Sequence, residues 1–167
     1  MTPQSLIQNL SEPPAKLYEW KCEGLREPNR DLAFTQHDWT NVETDVLLSA
    51  DGRDQFQTHT LIKELIVTAT PALSASYNLR LTLNQCAVFL EEQLAVLAER
   101  DSHEFDRPQF LRRGTLFTPV LLKHAPFDGD RTRQKISIEI YGWEVSESTL
   151  DLLLKQPVRE HIHVVEG

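Results

Sequence analysis

Gln134-Lys135-Ile136-Ser137-Ile138-Glu139-Ile140-Tyr141-Gly142-Trp143 alternates apolar and polar residues over most of its length. Successive side chains of a strand point to opposite faces, so Ile136, Ile138 and Ile140 share one face. Lys135, Ser137, Glu139 and Tyr141 share the other. This pattern predicts a strand of an antiparallel sheet with one face buried. Upstream, Thr115–His124 reads as a neighbouring strand, joined to it by a loop over Ala125–Arg133 that carries Pro126, Gly129 and two aspartates. Downstream, Ser146-Glu147-Ser148-Thr149 opens a short helix through about Lys155, which Pro157 stops. Val158–Val165 then closes the chain as a strand.

Further upstream, apolar residues at Cys86, Leu90, Leu94 and Leu97, widened by Ala87 and Phe89, predict an amphipathic helix over about 83–100. Thr82 and Gln85 have the spacing of a capping box at its start. Leu61–Thr70 is rich in β-branched residues and reads as a strand, although its Leu-Ile-Lys-Glu-Leu start could also open a helix, and Asp101–Gly114, interrupted by Pro108, reads as a loop. Residues 61–167 therefore give the order β-α-β-β-α-β, with the first strand near 61–70 or 77–83. That order predicts an α+β fold of the ferredoxin-like, split β-α-β type, with a mostly antiparallel sheet covered by two helices. Residues 1–60 add N-terminal strands and loops. Thr2–Leu10 forms a short helix, and Lys16–Cys22 alternates except at Leu17. Val42, Thr44, Val46 and Leu48 alternate before an Asp51-Gly52 turn, which predicts a β-hairpin extension. One domain spanning 1–167 is expected.

Composition supports a folded chain. Of 167 residues, 40% are hydrophobic and 25% charged, the balance of a globular protein rather than a disordered one. The N-terminus lacks the basic residues and apolar run of a signal peptide, and no stretch approaches the ~18 apolar residues of a membrane span. A cytoplasmic location without membrane association is expected. Cys22 and Cys86 share no paired spacing and read as buried small hydrophobes. The net charge of −8 is uneven: residues 1–106 carry −9, residues 107–135 carry +5 and residues 136–167 carry −4. Such a field repels a polyanion over most of the surface and disfavours nucleic acid.

Chemistry is sparsely marked. The six glycines form neither of the phosphate-binding loop patterns, and no serine lies in a nucleophile elbow. Four basic-segment residues, Arg112, Arg113, Lys123 and His124, could hold a small anionic ligand, since guanidinium forks and backbone N–H groups both favour anions. His161 and His163 lie two apart on the predicted last strand and could offer two metal ligands, with a third needed from His124 or from His103, Glu104 and Asp106. Trp39, Tyr141 and Trp143 are candidates for a partner-binding aromatic patch, together with Tyr18 and Trp20. His37-Asp38-Trp39 reads as loop anchoring. No cofactor is expected.

With no catalytic spacing present, the sequence favours a non-catalytic protein–protein interaction or assembly module, either a self-associating subunit or an adaptor. It would work through an exposed sheet edge or face. The alternative is an enzyme or sensor that binds a small anion through residues 107–135.

Overall fold

The computed structural model describes residues 2–23, 44–46, 55–84, 87–125, 133–155 and 157–165, with backbone alone at 22–23 and 44–46. Trp39, the His37-Asp38 pair, the Asp51-Gly52 turn, Cys86 and Arg131 lie outside these residues, as does the Cys22 side chain.

The isoleucine strand is the hub. As β8 (Lys135–Val145) it lies between β1 (Ala15–Glu23) and β3 (His59–Ala69) in a five-stranded sheet of order β1-β8-β3-β6-β9. Here β6 is His103–Leu111 and β9 is His163–Val164, and β6/β9 is the one parallel pair of that sheet. A second sheet, of order β2-β7-β4-β5, is antiparallel throughout: β2 is Thr44–Val46, β7 Phe117–Lys123, β4 Tyr77–Leu83 and β5 Ala87–Gln93. Four short helices complete the described residues: α1 (Pro3–Asn9), α2 (Pro71–Ser76), α3 (Leu94–Glu99) and α4 (Glu147–Leu153), with a 3₁₀ turn at Val158–His161.

The pattern of β8 sets the layers. Ile136, Ile138 and Ile140 are buried in a core shared with Leu79, Leu81 and Phe117 of the second sheet and with Leu94 and Leu97 of α3. At one end of β8 the other face is covered too. There Leu61, Phe110 and Val145 pack with Leu6, Leu153, Val158 and Ile162 in a second core supplied by α1, α4 and the 3₁₀ turn. The Thr2/Ser5 capping box starts α1, each side chain accepting from the other residue's backbone N–H.

Bulges mark the boundary between the two cores. Leu17 of β1 and Lys63 of β3 are each skipped in the ladders to β8, next to Tyr141 and Gly142. The Leu17 break in the alternation of β1 is thus a bulge that restores Tyr18 and Trp20 to the inner face. In β6 the excursion is larger: Gln109 pairs with Ile62 and Glu104 with Glu64, so residues 105–108 loop out of the ladder. Pro108, which has no N–H to donate, falls within that excursion.

The α+β class and the mostly antiparallel pairing agree with the sequence; the split β-α-β order does not describe this arrangement, which has two sheets. The predicted helix over 83–100 is replaced by β5 followed by the six-residue α3. The physical reason is a reversal at Asn84, which adopts φ +53 and is bonded both ways to Leu116. Asparagine tolerates this left-handed conformation. It turns the apolar run Val88-Phe89-Leu90, headed by a β-branched and an aromatic residue, back along β4, while Leu94 and Leu97 keep the helical spacing. Thr82 therefore does not cap a helix; its hydroxyl donates to the Thr118 carbonyl at 2.9 Å. The 101–114 loop is largely β6. The N-terminal hairpin is not formed by β2 and β3: β2 pairs with β7, whose residues from Phe117 to Leu122 are all buried and which needs a strand on each side. The closing strand shrinks to β9 because Val158 and Ile162 both turn into the second core.

Candidate functional site

The two halves of the predicted anion site are apart. Arg112 and Arg113 follow β6, ahead of β7, whereas Lys123 and His124 end β7, about 20 Å further on at strand rise. At the far end His124 is exposed and its backbone N–H donates to Ser76.

Around the arginines the structure brings together residues that the sequence pattern did not join. His59 begins β3 and is only 8% exposed. Its Nδ1 accepts the backbone N–H of Arg113 at 3.0 Å, which puts the ring proton on Nε2, facing Glu147 Oε1 at 2.8 Å. The ring stacks on Phe110, and Arg112 lies over the same Phe110 at 5.7 Å. Arg113 Nη2 comes within 3.8 Å of Glu147, with both side chains more than 60% exposed. With both ring nitrogens engaged, His59 has no lone pair left to take a substrate proton. It ties β3, the β6–β7 turn and α4 together. The signal available in the sequence was weak: His59 stood as one histidine among six, and Glu147 as part of a helix start.

The aromatic candidates separate as well. Trp143 is half-buried against the second core, and its Nε1 is buried without a hydrogen-bond partner among the described residues. Tyr18 and Trp20 complete an inner aromatic cluster with Phe56 and Phe117. Tyr141 lies on the outer face of the first sheet, level with Lys16 and Glu64 and beside the Glu19–Glu139 pair. Its hydroxyl donates to Glu139 Oε2 at 2.8 Å. That bond, then partial burial, then the charges of Glu139, Glu19 and Glu64 raise the phenol above its ordinary value of 10.0. Glu19 is held low, first by Lys21 at 3.2 Å and then by Lys16 at 3.3 Å, against partial burial.

A phenol whose folded value is raised contributes stability below pH 10 that is lost as pH climbs through the folded value. Subtracting the alkaline absorbance titration of Tyr141→Phe from that of the natural chain should leave one phenolate appearing above pH 10. The variant should also lose less stability over that range. A difference curve centred at or below pH 10 would refute the Glu139 contact.

His161 and His163 are both exposed, on the 3₁₀ turn and β9, with Ile162 buried between them. Among the described residues no three His, Cys, Asp or Glu side chains are grouped to hold a metal. His103, one of the suggested third ligands, stands elsewhere: burial first, then the Arg100 guanidinium at 3.3 Å, lowers its pKa, against the pull of Glu92.

The remaining feature is a strand edge. β5 ends the second sheet and pairs only with β4 among the described residues. Val88 is 53% exposed, the one large hydrophobic side chain so exposed among the described residues. Phe89 bulges from the ladder, and its ring lies 5.3 Å from that of Phe105 in the β6 excursion. Assigned to a helix, these residues carried no edge signal in the sequence reading.

Comparison with protein-family models, with curated proteins and with solved structures finds no match. No described helix is long and apolar enough to cross a membrane.

Proposed function

We propose that this chain is a non-catalytic protein-interaction module, an adaptor or assembly subunit, that engages another chain at a sheet edge. The observation that carries this is β5: seven residues of strand with one side of the backbone unpaired among the described residues and an exposed valine at its start. An open strand edge is a template for a further strand, and proteins that do not use one normally guard it. Of the other described edges, β2 and β9 have only three and two residues, and β1 carries the Leu17 bulge with the charged side chains of Lys16, Glu19 and Lys21; β5 has its own bulge at Phe89 and two glutamates but differs in the exposed Val88. The engagement of both His59 nitrogens supports binding over proton-transfer chemistry at the arginine rim.

The small-anion alternative retains less support. Its residues divide between the two ends of β7, and Glu147 already faces Arg113 and His59.

The mass of the chain by light scattering should rise with its own concentration or with added partner. Val88→Lys, which places a strongly hydrated charge on the open edge, should weaken that association about tenfold or more while leaving the thermal midpoint within a few degrees. A strict monomer that retains no partner, or association indifferent to Val88→Lys, would count against the edge.

A further inference from the structure

We infer that the β5 edge takes an extended, basic segment of a different protein as an added strand, rather than a second copy of this chain. This rests on the interaction-module reading and specifies its partner.

Charge selects the occupant. Residues 87–106 hold Glu91, Glu92, Glu99, Asp101, Glu104 and Asp106 against Arg100 alone, a net −5 within a chain of −8. Of the nearby cations, Arg80 is engaged by Glu91 at 2.9 Å and Lys63 by Glu104 at 3.3 Å. Glu99, Asp101 and Asp106 have no ion pair among the described residues. The edge thus offers Val88 beside the half-buried Phe89–Phe105 rings, followed by Glu91, which is paired with Arg80, and Glu92.

A second copy fits this poorly. Antiparallel pairing of β5 with itself about Leu90 would set the two Glu91 residues two positions apart along the pair and the two Glu92 residues four apart; pairing about Phe89 sets them four and six apart. Each whole chain carries −8, so two copies repel as this edge of one approaches that of the other. A partner strand alternating apolar and Lys or Arg residues meets both the valine and the glutamates. Main-chain hydrogen bonds supply affinity, Val88 and the rings an apolar contact, and the carboxylates orientation and on-rate.

The test uses the full chain and three synthetic ten-residue peptides: alternating Val and Lys, alternating Val and Glu, and the Val–Lys peptide interrupted by two prolines. Hydrogen exchange of the 87–93 amides and binding by calorimetry are read for each. The Val–Lys peptide should slow exchange at 87–93 by about tenfold or more, and its affinity should fall steeply with added salt. The Val–Glu peptide should not bind, and the proline peptide should bind at least about tenfold more weakly because it lacks strand donors.

Equal binding by the proline peptide would reduce the effect to charge and overturn the added strand. Protection on the Tyr141 face instead of 87–93 would overturn the site. Should no peptide bind while the chain self-associates with 87–93 protected, the basic partner fails and the interaction module stands. A monomer that binds none of the three and retains no other protein removes both.

Discussion

Gly142→Ala is expected to give no stably folded protein. A Cβ at this position would lie 1.8 Å from the Leu61 carbonyl oxygen and 2.9 Å from its carbonyl carbon, both backbone atoms of β3. No rotamer change relieves that overlap; β3 and β8 would have to part. They are adjacent strands in the interior of the five-stranded sheet, and the break would fall where the Leu17 and Lys63 bulges bend it and where the two cores meet. A cost above about 4 kcal/mol belongs to this kind of backbone collision and consumes much of the stability of an ordinary domain. The control is Gly114→Ala. Gly114 has φ +89 but open space, the nearest atom being Gln55 Nε2 at 3.8 Å, so only left-handed strain of about 1–2 kcal/mol is added. Urea unfolding followed by circular dichroism separates the two. A Gly142→Ala protein that unfolds within about 1 kcal/mol of the natural chain would mean that the strands are not in this register.

Gly142 also shows where the sequence was legible and where it was not. The alternation of Ile136, Ile138 and Ile140 placed β8 and its buried face correctly, because a period of two reports one strand and its own two faces. Lys16–Cys22 was readable for the same reason, whereas Leu61–Thr70 was readable from its β-branched residues rather than from alternation. The stripe from Cys86 to Leu97 misled because Leu90, Leu94 and Leu97 satisfy a helical period while Val88, Phe89 and Leu90 equally suit a strand. What decided between them was a left-handed Asn84 held by Leu116, a contact 32 residues away. Strand order suffered similarly: β2 joins β7 through pairing between residues near 45 and 121, which no local pattern encodes. The site residues follow this division. Arg112 and Arg113 stood out as a charge run, but His59 and Glu147 are 88 residues apart and meet only through the fold.

His59→Ala should destabilise the chain by about 3 kcal/mol. Three losses contribute. The Arg113 backbone N–H loses its acceptor 3.0 Å away, and an unsatisfied donor costs about 1–3 kcal/mol unless water reaches it. Stacking on Phe110 disappears, worth about 0.5–1.5 kcal/mol for a ring pair. The Glu147 contact at 2.8 Å is lost as well, but that carboxylate is 61% exposed and solvent screening leaves it well under 1 kcal/mol. Two variants apportion the sum. Glu147→Gln keeps an acceptor and should cost less than about 1 kcal/mol. His59→Phe keeps a ring on Phe110 but orphans the Arg113 N–H, and should fall between the other two. Amide exchange at Arg113 supplies a readout that general destabilisation does not mimic. Under conditions where the fold persists, it should accelerate selectively in both His59 variants and not in Glu147→Gln. Such a result would make His59 a positioning residue that fixes the β6–β7 turn and with it the direction of Arg112 and Arg113. If Arg113 exchange is unchanged, or His59→Ala costs less than about 1 kcal/mol, the imidazole does not hold the turn. The basic rim then has to be set by the strands alone.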